Sequence, residues 1–200
     1  MSLGLALALG LSQLVALNWA DFVNRNLQSF ALATRLGLEE ERSLQVISPA
    51  SLEVTHESIG LLRKYKLAMF SKELPWALNT PYALRQPVEQ LPVQLDPAIW
   101  LETQAGAETG LVANGFLPPS LAQDLRWLVV LDDAGIVRGF AEITYFGHDV
   151  LRRTVLFAAP KRGFGAVIAG AMPGLHYRII ARTHDNKDIQ IAQLVAPSRE

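Results

Sequence analysis

The polar residues best placed to do chemistry lie in the last third of the chain. His148 and Asp149 share a turn with Arg152 and Arg153, and Lys161 and Arg162 mark the next turn. Two guanidiniums beside an imidazole and a carboxylate could hold a phosphate or a uronate through paired, charge-assisted hydrogen bonds. The ligand this implies is an anionic glycan or a lipid headgroup. A strand over Thr154–Ala158 would hold the two turns roughly 15–20 Å apart, at opposite ends of a sheet. The Arg152–Arg153 end is therefore the candidate ligand site. The competing explanation is a solvated turn, since turns use these residue types for backbone reasons.

Other constellations fail on spacing. His56 is one helical turn from Glu53 and adjacent to Glu57, but the zinc-protease pattern needs a second histidine four residues on, and position 60 is glycine. An exposed polar helix face explains the three. Ser120, His148 and Asp132 can be assembled on paper into a nucleophile, base and carboxylate, yet no Gly-x-Ser-x-Gly elbow is present. Glycosidic chemistry needs two carboxylates facing each other across a cleft. Asp132, Asp133, Glu142 and Asp149 are the carboxylates nearest the central strands, and the first two have a complete explanation as turn formers. Gly163, Gly165 and Gly170 miss the dinucleotide fingerprint because Ile168 stands where a third glycine is required. They read as allowing a bulge or a close strand approach. With no cysteine, disulfides, thiolate metal sites and thiol catalysis are excluded. A net charge of −1 gives nucleic acid no electrostatic support. No catalytic residue, metal ligand or cofactor is assigned.

The element that must position any such site is the stretch Trp127–Tyr145. Leu128–Leu131 is an apolar run, Asp132-Asp133-Ala134-Gly135 is turn chemistry, and the chain returns through alternating residues from Ile136. Two strands alone are marginally stable, so more sheet must surround them. Further strands are expected at Ile99–Thr103, Gly110–Phe116, Thr154–Ala158, Gly165–Ala169, Leu175–Arg182 and Ile189–Val195, with Pro118-Pro119, Pro173-Gly174 and His184-Asp185-Asn186 among the breaks. The spacing predicts an antiparallel β-sandwich or partly open barrel.

The N-terminal region reads differently. Half of all residues are hydrophobic, 18% are charged and mean hydropathy is +0.20. Either the core is large or one segment belongs in lipid. Met1–Ala20 carries no charged side chain, and a membrane span needs about 20 apolar residues. The helical pattern continues through Phe22, Val23, Leu27, Phe30, Ala31 and Leu32 to a stop at Gly37. This predicts one long helix, first membrane-embedded and then amphipathic; the alternative is a helix buried in the protein's own core. Glu39–Arg42 reads as a solvated connector. Ser48-Pro49 reads as the start of a second helix reaching Lys66, with Leu67–Phe70 as a short extension. Pro75, Pro81, Pro87, Pro92 and Pro97 make 74–97 an extended connector, and Trp76 and Tyr82 imply that it lies against something.

The fold class is thus α+β: a hydrophobic or transmembrane helix with its extension over 1–38, a juxtamembrane helix and proline-rich connector over 39–97, and an antiparallel β-domain over 98–200. Arg25 and Arg35 after the apolar run weakly favour a cytoplasmic body.

Two segments, Ile47–Phe70 (ISPASLEVTHESIGLLRKYKLAMF) and Arg162–Arg182 (RGFGAVIAGAMPGLHYRIIAR), resemble the extracytoplasmic C-terminal region of bacterial polytopic membrane proteins similar to lipid-linked-sugar glycosyltransferases. The resemblance implies a β-domain facing outward, against the arginine bias. It brings no catalytic residue, because that family's catalytic carboxylates lie near the start of the protein. The function expected is a non-catalytic, membrane-anchored accessory or binding module of cell-envelope or glycan machinery. Its partners would be the membrane, a membrane protein, or an anionic glycan or lipid. The alternative is a glycan-processing enzyme or a fragment of one.

Overall fold

The computed structural model describes residues 27–48, 50–71, 73–85, 88–101, 108–145 and 162–199. Strands β1 (Glu89–Gln90), β2 (Ile99–Leu101), β3 (Gly110–Leu117), β4 (Leu125–Asp132), β5 (Val137–Tyr145), β6 (Arg162–Ala169), β7 (His176–Thr183) and β8 (Asp188–Val195) join one sheet. Its order is β1-β8-β7-β4-β5-β6-β3-β2. Only the β1–β8 pair is parallel among the described strands. The sheet curls into a half-barrel, so the strands do not divide into the two packed sheets of a sandwich. The architecture is α+β.

The β4–β5 hairpin occupies the middle of the sheet, as its composition predicts. Asp132 Oδ1 accepts from Ile136 N at 2.9 Å, Gly135 N donates to Asp132 O at 3.0 Å, and Gly135 has φ +77°. Leu128 and Val130 face one apolar cluster, which includes Ala166, Ile168, Ile179 and Ile191. Val129 and Leu131 face a second, with Val137, Phe140, Val167 and Ile180. Both faces of β4 are therefore dry, and a strand buried on both sides reads as a continuous apolar run. This doubly covered sheet accounts for part of the high hydropathy.

The second cluster is closed by helix α1, helical over the described residues 27–35, through Phe30, Leu32 and Ala33. It ends as the sequence predicts. Gly37 takes φ +82°, Leu38 N reaches Ala33 O at 2.9 Å and Gly37 N reaches Thr34 O at 3.2 Å, the paired bonds of a Schellman cap. Ser29 sits directly over β6: a Cβ at Gly165 would lie 1.8 Å from Ser29 Oγ and 3.0 Å from Asn114 Oδ1. Of the glycines expected to allow a bulge or a close strand approach, Gly165 allows a close approach, but to a helix. The apolar segment read as a membrane span, Met1–Ala20, lies outside the described residues. Among the described residues no helix is long and apolar enough to cross a membrane.

The segment after α1 departs from expectation. Glu39–Arg42 is not a solvated connector: Glu40 is 6% exposed and bonded to the buried Ser43, and α2 (Glu41–Ile47) begins there. Leu44, 1% exposed, supplies the reason, since its burial draws the adjoining turn into the core. Ser48 closes α2 through its N–H to Leu44 O at 2.9 Å, so it cannot start the next helix. That helix, α3 (Leu52–Lys64), is capped by Ser51, whose side chain accepts from Val54 N. A 3-10 turn over Ala68–Phe70 follows.

The proline-rich connector packs as expected. Trp76 and Tyr82 meet edge to face at 5.0 Å, and Asn79, Thr80 and Tyr82 bond to the backbone of the β4–β5 turn. A short helix, α4 (Pro119–Asp124), buries Leu121 and Ala122 against the first cluster. The sequence showed it only as a proline break.

Candidate functional site: a cleft beside the first helix

A cleft of about 300 Å³ opens between α1, residues 73–75 and the start of the central hairpin. Gln28, Leu32 and Arg35 reach it from one side of α1, three and four residues apart as a helix requires. Phe140–Ile143 of β5 and Leu125–Leu128 of β4 form the facing wall. The β4–β7 register shifts between Leu125 and Trp127, which leaves Arg126 as an extra residue. A bulge of this kind re-aims side chains. Its effect here is that Arg126 and Trp127, adjacent in sequence, are both exposed, where alternation would hide one of them.

The lining combines flat apolar surface with directed polar groups. Trp127, Phe140, Ile143 and Pro75 supply the first. Arg35 Nη1 and Glu142 Oε1 pair at 2.7 Å, with side chains 11% and 39% exposed. Gln28 Oε1 is buried and has no hydrogen-bond partner, an unmet acceptor at the cleft wall. Binding pockets characteristically join apolar walls to a few convergent polar groups.

The cleft does not show the carboxylate pair that glycosidic chemistry uses. Its two carboxylates are Glu142, engaged by Arg35, and Glu73, whose side chain is 87% exposed and stands 3.6 Å from Lys66 Nζ. Of the two, Glu142 is ion-paired and Glu73 is largely exposed.

The polar clusters around Asp188, Asp132 and His56 serve the architecture. Asp188, 1% exposed, accepts from Tyr82 Oη at 2.9 Å, Arg85 N at 2.8 Å, Arg182 Nε at 2.8 Å and Arg182 Nη2 at 2.7 Å. Burial alone would raise its pKa, but the Arg182 fork and the other donors outweigh it and hold the carboxyl below its ordinary value. Burial first, then the bond to Asp188, pushes the Tyr82 hydroxyl well above its usual range. Arg182 also lies 4.8 Å from the Tyr82 ring and 5.6 Å from the Trp76 ring, so this cluster pins the connector to β7 and β8. Asp132 acts as a turn former: beyond Ile136 N it holds Arg138 Nε at 2.8 Å, and Arg138 Nη1 reaches Asn79. His56 pairs with neither Glu53 nor Glu57. Its Nδ1 stands 3.2 Å from Glu39, which Arg63 also engages at 2.8 Å. Among the described residues no group of three or more His, Asp or Glu could hold a metal ion.

His148, Asp149, Arg152 and Arg153 lie outside the described residues, as do Lys161 and the strand expected over Thr154–Ala158. The β5–β6 register sets Tyr145 opposite Arg162. Of the triad assembled on paper, Ser120 falls on α4 and Asp132 in the hairpin turn, each with its own structural setting. The cleft residues Gln28, Arg35, Arg126 and Trp127 were not singled out from sequence. The one available signal was Arg126-Trp127, two side chains that break the alternation of a strand at its start.

No family model matches the chain, and no curated protein matches it. A solved structure of a purple acid phosphatase isolated from yellow lupin (Lupinus luteus) seeds aligns at a TM-score of 0.34 and 12% identity, over 53% of this chain and 20% of that one. This chain thus spans about a fifth of that protein's length, and at that score the likeness carries no argument about fold or activity.

Proposed function

We propose that the chain is a non-catalytic binding module of bacterial cell-envelope or glycan machinery, anchored to the membrane by its N-terminal apolar segment with the β-domain outside the cytoplasm. Its ligand is an acidic saccharide unit. The observation that carries the reading is the cleft, whose lining includes Trp127, the exposed Arg126 and Gln28 with its unmet acceptor. A sugar ring presents an apolar face to an aromatic side chain and hydroxyls at its rim. A uronate carboxylate fits the planar fork of an arginine. The Arg35–Glu142 pair lines the cleft and engages its carboxylate.

The test is calorimetric titration of the chain with a uronic-acid oligosaccharide and with its carboxyl-reduced counterpart. Binding of the first and not the second is expected. Trp127→Ala should weaken it by about 2 kcal/mol, roughly thirtyfold, the loss typical of a central aromatic anchor. Equal binding of both sugars, or an unaffected variant, refutes the assignment. The anchor is checked separately by alkaline carbonate extraction of membranes carrying the full chain, which should leave it in the pellet.

A further inference from the structure

Arg35 and Glu142, 107 positions apart, bring opposite charges into the cleft lining. The two are not equally committed to it. The Arg35 side chain is 11% exposed and that of Glu142 39%. Arg35 is the last helical residue of α1, where the helix dipole favours a positive charge. Glu142 stands on β5 opposite Gly165 of β6, which has no side chain to pack beside it. The contact joins Glu142 Oε1 to Arg35 Nη1 at 2.7 Å. Among the described residues Arg35 is the one polar partner of Glu142, and Glu142 Oε2 takes no part in the pair.

A carboxylate held in this way is placed as a competitor. Arginine grips a carboxylate best through two parallel bonds, and Glu142 supplies one. A cation as covered as Arg35 is costly without a counter-charge, so it keeps Glu142 until another anion is in position. The carboxylate of an incoming saccharide can be that anion. Glu142, already more than a third exposed, is the partner able to turn to solvent.

We propose that Glu142 is an internal stand-in for the ligand: it holds Arg35 in the free protein and yields it to the acid group of the bound saccharide. The inference rests on the reading of the cleft as a site for an acidic saccharide, and it assigns that acid to Arg35 and the gating to Glu142. The exchange makes the site selective, because a neutral sugar brings nothing to replace Glu142. It also weakens binding of the acid, since only molecules with Arg35 released are ready to take it.

The test titrates the full chain and its Glu142→Gln variant with a uronic-acid oligosaccharide and with the carboxyl-reduced form, and melts each with and without sugar. Glu142→Gln removes the competing charge at nearly constant shape. It should bind the acidic sugar at least about fivefold more tightly, with no gain for the reduced sugar. Without sugar the variant should melt lower, since Arg35 has lost its counter-charge, and the acidic sugar should raise its melting point by more than it raises the parent's. Glu73→Gln, at the other carboxylate of the lining, should gain much less, because that charge is exposed and screened. Should Glu142→Gln fail to fold, magnetic resonance of the parent decides: the acidic sugar, and not the reduced one, should move the Arg35 guanidinium and Glu142 carboxyl signals together. If the parent prefers the acidic sugar but Glu142→Gln binds it no more tightly, the exchange is wrong and the reading of the cleft stands. If the parent binds neither sugar, or both equally, the two fall together. An equal gain for the reduced sugar, or an equal gain in Glu73→Gln, also overturns the exchange, since the first reports a reshaped cleft and the second general repulsion.

Discussion

Asp188→Ala should be among the most damaging single substitutions in the chain. It removes the acceptor of four hydrogen bonds at once and strands three donors: the Arg182 guanidinium, whose side chain is 11% exposed, the Tyr82 hydroxyl and the Arg85 amide. Removing one member of a buried ion pair costs about 3–5 kcal/mol, because the other charge stays buried without compensation. In a chain of this size 1 kcal/mol moves the melting point by about 2–4 °C, so a fall of roughly 6–20 °C is expected. Arg182→Met in the same chain removes the stranded charge, and a buried pair replaced by apolar groups is often close to neutral. The double variant should therefore be more stable than Asp188→Ala alone. Thermal melts and urea titrations of the parent, both singles and the double supply the cycle, and amide exchange at Arg85 reports whether the connector is released. A loss under about 1 kcal/mol in Asp188→Ala, the range of an exposed pair, would refute the reasoning. So would a double variant whose loss equals the sum of the two singles.

Gly165→Ala should destabilise the fold by about 1–3 kcal/mol, the usual cost of overpacking, because the new methyl meets Ser29 Oγ. Adding Ser29→Ala should recover part of that loss in a urea titration, since the oxygen at 1.8 Å disappears and Ser29 Cβ remains at 3.2 Å. Acid should unfold the chain through its paired carboxyls. Asp188 and Asp132 both have folded-state pKa values below the ordinary 3.8; for Asp132, burial opposes the shift while Ile136 N–H and Arg138 produce it. The stability they add is full above the unfolded value and is lost as pH falls through the folded values. The urea midpoint should drop as pH falls below about 4, and Asp188→Asn should flatten that drop.

Features written in local chemistry were legible before any tertiary structure. The Asp132–Gly135 turn, the Gly37 stop and the strands either side of Pro173-Gly174 each depend on a few adjacent residues. So do the packed aromatics of the proline-rich stretch, whose backbone cannot join a helix. The start of α3 was misplaced by three residues because Ser48 and Ser51 are equally good caps in isolation. Only the burial of Leu44, which commits Ser48 to the end of α2, chooses between them. Strand order was not legible: period-two alternation marks a face but names no neighbour, and a strand covered on both sides loses even that mark. Nor was the cleft, whose walls come from residues more than a hundred positions apart, as Arg35 and Glu142 show. Asp188 acquires its role only when Tyr82, 106 positions earlier, is folded onto it. Backbone preference acts over one or two turns of chain, so sequence declares the elements. Which side chains converge is decided by how the sheet closes and what covers it, and that choice belongs to the whole chain.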